Sequence, residues 1–71
     1  MAESAYKVIE LVGTSSESWE KAAEVALKMA SESVRDLRIA EVEKLDMQIE
    51  DGKIRAFRAR VKVSFKYHGN E

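Results

Sequence analysis

The residues with chemistry to offer are mostly carboxylates. Glu41 and Glu43 stand two apart, Asp46 follows three later, and Glu50-Asp51 comes next. Their oxygens suit a hard cation such as calcium, although no stretch matches an EF-hand loop. The same carboxylates lie close to a basic run. From Lys53 to Lys66 there are six basic residues and no acid. An ion-pair ladder is therefore the plain reading of Glu41 and Glu43 beside Arg60 and Lys62, ahead of acid–base catalysis. A metal reading needs one further condition. In a symmetric oligomer, one carboxylate per subunit can meet its copies on an axis. Asp46, Glu41 and Glu43 are the candidate ligands on that view.

Other chemistry is scarce. The chain has no cysteine, which excludes thiolate metal sites and a disulfide scaffold. The single histidine, His68, sits near the C-terminus and is a poor candidate ligand. No serine stands near a plausible base, so nucleophilic catalysis has no support. Gly13 followed by Thr14, Ser15 and Ser16 could cradle a phosphate, but there is no P-loop lysine and no second glycine. Helix capping explains those hydroxyls more simply. The expectation is a non-enzyme.

The elements that position these residues follow from periodicity. Tyr6 to Val12 reads as a strand, stopped by Gly13. Ser16 to about Val34 reads as a helix, because Trp19, Ala22, Ala23, Ala26, Ala30 and Val34 recur at spacings of three and four. Glu24 and Lys28 stand at the favourable i,i+4 spacing on its polar side. Trp19 reads as a packing anchor at the first turn. Leu37 to Tyr67 reads as two long strands joined by Asp51-Gly52, a strong hairpin signal. Placing Glu50 opposite Lys53 sets Met47 against Ala56, Leu45 against Arg58, Glu43 against Arg60 and Glu41 against Lys62. One face then carries Ala40, Val42, Lys44 and Asp46 beside Phe57, Ala59, Val61 and Val63. The other carries Ile39, Glu41, Glu43, Leu45, Met47 and Ile49 beside Ile54, Ala56, Arg58, Arg60 and Lys62.

A helical crossover makes the first two strands parallel in direction, and the third can lie between them. The expected fold is α+β: β-α-β-β, one domain over residues 1–71, a three-stranded antiparallel sheet ordered 1-3-2 and folded over one helix. Nineteen helical residues span about 28 Å. The hairpin strands span about 46 Å. The helix cannot cover the ribbon, so the apolar tip formed by Leu45, Met47, Ile49, Ile54 and Ala56 needs another partner. A chain of 71 residues is also a marginal monomer. Self-association is the expected remedy.

A net charge of −1 gives no bulk case for nucleic-acid binding. No run approaches the roughly 20 apolar residues of a membrane span. The N-terminus has no signal-peptide pattern, and the expected location is cytoplasmic.

Tyr6-Lys7-Val8-Ile9-Glu10-Leu11-Val12-Gly13-Thr14-Ser15, Glu17-Ser18-Trp19-Glu20, Leu37-Arg38, Ile49-Glu50-Asp51-Gly52-Lys53 and Val61-Lys62-Val63-Ser64-Phe65 together resemble the dodecins. The resemblance runs from about Ala5 to Tyr67. It implies a small β-α-β-β protein that assembles as a hollow homododecamer. It also implies storage or buffering of a small ligand, in many members flavin, rather than catalysis. Flavin-binding members carry a Trp within Arg-Trp-Phe-Glu, and its indole stacks on the flavin ring. Here the run is Arg38-Ile39-Ala40-Glu41, so Ile39 takes that position. The family's flavin-bonding Gln is replaced by Arg58 within Phe57-Arg58-Ala59. Each lost stack is worth about 1–3 kcal/mol. Flavin binding is therefore expected to be weakened, and the sequence looks closer to the calcium-associated subtype. A calcium-binding dodecamer, or a structural shell with no dedicated ligand, is the alternative expectation.

Overall fold

The computed structural model describes residues 4–67. His68 and the first three residues lie outside them. The fold is built on the Asp51-Gly52 turn. Asp51 has φ 53° and Gly52 has φ 76°, the pair of positive values that a type I′ hairpin turn needs. The turn joins β2 (Leu37–Glu50) to β3 (Lys53–Lys66). Ahead of them come β1 (Tyr6–Ser15) and α1 (Trp19–Ser33). The sheet order is β1-β3-β2, and both neighbouring pairs are antiparallel. The expected α+β architecture and strand order are what the chain adopts.

Two boundaries differ from expectation. β1 does not stop at Gly13 but continues to Ser15, because Gly13, Thr14 and Ser15 pair with Ala59, Arg58 and Phe57 of β3. Gly13 is there to let the helix come close. A Cβ on it would stand 3.0 Å from the Ala26 Cβ. The helix in turn begins later, at Trp19 rather than Ser16. Ser18 is the N-cap, and its hydroxyl accepts from the Lys21 N–H at 3.0 Å. The Ser15 hydroxyl accepts from the Glu17 N–H at 2.9 Å and shapes the approach to that cap. At the other end Val34 is extended and donates its N–H to the Ala30 carbonyl at 2.9 Å.

Small residues make the core. Ala22, Ala26 and Ala30, spaced one turn apart on α1, are buried, as are Ala59, Val61 and Val63 of the central strand, and Ala26 packs with Val61 and Val63. Ile9, Leu11, Ala23, Leu27 and Leu37 close around them. The helix lies over β1 and β3 and scarcely reaches β2.

Three bulges interrupt the β2–β3 ladder, and they change which residues share a face. Glu50–Lys53, Ile49–Ile54 and Glu41–Lys62 pair as expected. Between them the register slips by one. Arg55 is an extra residue on β3, and Glu43 is an extra residue on β2 that restores the register. A third bulge sets Arg38 between Leu37 and Ile39. In the slipped segment Met47 faces Phe57, Leu45 faces Ala59, Asp46 faces Arg58 and Lys44 faces Arg60. The expected pairs Met47–Ala56, Leu45–Arg58 and Glu43–Arg60 are therefore wrong. A one-residue slip exchanges the two faces of a strand. Leu45 and Met47 move to the helix side, and Lys44 and Asp46 move to the open side.

Candidate functional site

The open side of the sheet is a charged surface laid out by β3. Ala59, Val61 and Val63 point into the core, so Arg58, Arg60, Lys62 and Ser64 point the other way. Pairing sets their neighbours in rows. Thr14 and Asp46 flank Arg58, Val12 and Lys44 flank Arg60, Glu10 and Glu41 flank Lys62, and Val8 and Ile39 flank Ser64.

Three ion pairs connect these rows. The Arg58 guanidinium donates through Nε to Asp46 Oδ1 at 2.7 Å and through Nη2 to Asp46 Oδ2 at 3.0 Å, a bidentate fork. Lys62 Nζ lies 2.9 Å from Glu43 Oε2. Arg60 Nη1 lies 3.9 Å from Glu10 Oε2. The bulge at Glu43 frees it from facing Arg60 and lets it reach Lys62. The hydrogen bond from Arg58 holds the Asp46 carboxyl below its ordinary range. The hydrogen bond from Lys62 does the same for Glu43, with a smaller contribution from a hydrogen bond to the Glu10 side chain. The bases respond in the opposite sense: Asp46 raises Arg58 and Glu43 raises Lys62. These pairs are half exposed, so they order the surface more than they stabilise the fold.

Asp46 also reaches the other side of the sheet through its backbone. The Trp19 indole Nε1 donates to the Asp46 carbonyl oxygen at 2.9 Å. The same indole meets Phe57 edge-on, with ring centroids 5.1 Å apart and planes at 72°. Trp19 is thus the anchor expected of it. One residue, Asp46, ties the helix N-terminus to the charged face.

Glu41, Glu43 and Asp46 share the open face but are not drawn together. Each stands against a base. Among the described residues no three acidic or histidine side chains gather as a metal site would require. Asp46 and Glu43 are ion-paired, whereas Glu41 only faces Lys62 across the ladder. Ile39 and Arg58 also share the open face. Ile39 pairs with Ser64 of β3, six residues or about 20 Å along that strand from Arg58. Within one chain the two do not line a single pocket. Ile39 itself is 67% exposed. Sequence reasoning overlooked Glu10. Its alternation with Val8 and Val12 was the available signal, since that places it on the open face opposite Lys62.

A long ribbon that outreaches its one helix, with a charged sheet face left open, defines a distinct class of small α+β protein. The profile of the Dodecin family matches residues 5–68. The chain belongs to the dodecin family. It is 48% identical over 64 residues to the calcium dodecin of Mycobacterium tuberculosis, covering 89% of each chain. Its fold matches the dodecin of Streptomyces coelicolor with a TM-score of 0.92 at 33% identity, over 99% of this chain and 100% of that one. It also matches the crystal structure of the calcium-chelating M. tuberculosis calcium dodecin, described with a novel calcium-binding site. There the TM-score is 0.83 at 45% identity, over 96% of this chain and 97% of that one.

Proposed function

We propose that this protein is a non-enzymatic homo-oligomer, a dodecamer on the family pattern, that sequesters a divalent cation at contacts between its copies. Calcium is the first candidate. The observation that carries the reading is β2 itself. Every residue from Arg38 to Glu50 is exposed in the single chain, although this is a fourteen-residue strand. It presents Ile39, Val42, Leu45, Met47 and Ile49, each at least 40% exposed, together with Glu41, Glu43, Asp46 and Glu50. The same strand therefore supplies an apolar surface that needs a partner and oxygens that suit a hard cation.

The dimensions support assembly. The radius of gyration is 14.6 Å. A compact domain of this length measures about 11 Å. The accessible surface is 5551 Å². A monomer of this mass exposes about 4,450 Å². Its similarity to calcium dodecin supports the cation. Flavin is the weaker ligand on this reading, because Ile39 offers no ring to stack on and the Arg58 fork is taken up by Asp46.

Melting in the presence and absence of the ion tests this. A ligand that binds only the native state at 100 times its Kd adds about 2.7 kcal/mol of stability. Millimolar calcium is expected to raise the melting temperature above that in EDTA, and magnesium to raise it less. Identical curves in calcium and EDTA overturn the cation reading. A stable species of 8.0 kDa at micromolar concentration overturns the assembly.

A further inference from the structure

The helix side of the sheet carries a second feature, whose lining meets the open face at Ile39. A cleft of about 530 Å³ runs between the second half of α1 and the first residues of β2. Its floor is apolar: Leu27 and Leu37 pack there against Val63 of the core. Its rim holds Lys28 from α1 and Arg38 from β2. Arg38 is the extra residue of the bulge between Leu37 and Ile39, and a bulge re-aims the side chain it carries. Glu24 also borders the cleft, but it does not make the expected pair with Lys28. It turns to Lys21, 3.5 Å away. Among the described residues no carboxylate comes within ion-pair distance of Lys28 or Arg38.

We propose that this cleft binds a small amphipathic anion, a medium-chain aliphatic carboxylate, with its chain on Leu27 and Leu37 and its head between Lys28 and Arg38. The volume lies within the range of small-molecule pockets, and an apolar lining with a few convergent charges is their usual build. The charge complementarity selects an anion. The carbonyl end of α1 has no basic residue in its last turn and by itself favours a cation. Lys28 and Arg38 outweigh that partial charge, because the one carboxylate on the lining, Glu24, is turned to Lys21.

Octanoate and 1-octanol, titrated separately into the native protein in EDTA, test the proposal without any contribution from cation binding. Octanoate is expected to bind about tenfold more tightly than octanol, as one charged hydrogen bond implies. The preference shrinks at high salt, because the rim charges are exposed. Arg38→Glu and Lys28→Glu, both at exposed positions, each abolish the preference and leave octanol binding unchanged. Amide shifts in NMR spectra centre on Leu27 and Leu37. Equal binding of acid and alcohol, a preference that survives both substitutions, or shifts elsewhere overturns the proposal. So does an absence of octanoate binding, the result expected if a second copy of the chain fills the cleft.

Discussion

Gly13→Ala tests the close approach of helix and sheet on which the whole arrangement depends. A Cβ at Gly13 falls inside contact distance of the Ala22 carbonyl oxygen and 3.0 Å from both the Cβ and the N of Ala26. The first neighbour is helix backbone, which cannot rotate away as a side chain can. The strand cannot retreat either, because Gly13 pairs with Ala59, which is fully buried. The helix must lift, and lifting loosens Ala22, Ala26 and Ala30 together. Overpacking of this kind costs about 1–3 kcal/mol, and a backbone clash belongs at the upper end. Removing a glycine also restricts the unfolded chain, which returns roughly 0.4–1 kcal/mol. A net loss of about 2 kcal/mol lowers the melting temperature of a domain this small by roughly 8–16 °C. Circular dichroism melting at one fixed protein concentration measures it, since association makes the midpoint concentration-dependent. Adding Ala26→Gly should recover only part of the loss, because the Ala22 carbonyl remains in the way. A Gly13→Ala protein that melts within about 2 °C of the parent would refute the packing argument.

Three further outcomes follow from the site and the exposed strand. Met47→Asp puts an unpaired charge on the apolar tip and should shift sedimentation from the assembly toward smaller species, whereas Met47→Leu should leave it intact. Asp46 and Glu43 have folded-state pKa values below their unfolded ones, so their contribution is complete above the unfolded values and fades as pH falls through the folded ones. The melting temperature should therefore hold between about pH 7 and 5 and drop below about pH 4, and Asp46→Asn with Glu43→Gln should flatten that drop. Riboflavin should bind weakly with little fluorescence quenching; Ile39→Trp should restore more of both than Arg58→Gln, and tight quenched binding by the unmodified protein would place another aromatic in the pocket.

Much of this fold is legible in the residues. Asp51-Gly52 marks the turn, the alanine spacing marks the helix, and the crossover length decides the strand order. The charged face is harder to read. Alternation places Asp46 among core residues and Leu45 opposite Arg58 only if the ladder is regular. The bulges at Arg55 and Glu43 bracket the middle of the hairpin and exchange its faces. Neither bulge carries a glycine or any other residue that announces it, so local sequence holds no sign of the slip. The bidentate Asp46–Arg58 pair follows from that slip and was hidden with it. The helix start moved for a local reason: several hydroxyls precede Trp19, and only the structure shows that Ser18 is the one that caps.

Assembly and the holding of cations between copies can be measured together. Native mass spectrometry after exchange into a calcium-containing volatile buffer reads both halves at once. One dominant species near twelve times 8.0 kDa is expected, with bound calcium that EDTA removes. A monomer of 8.0 kDa, or an assembly whose mass does not change with EDTA, would contradict it.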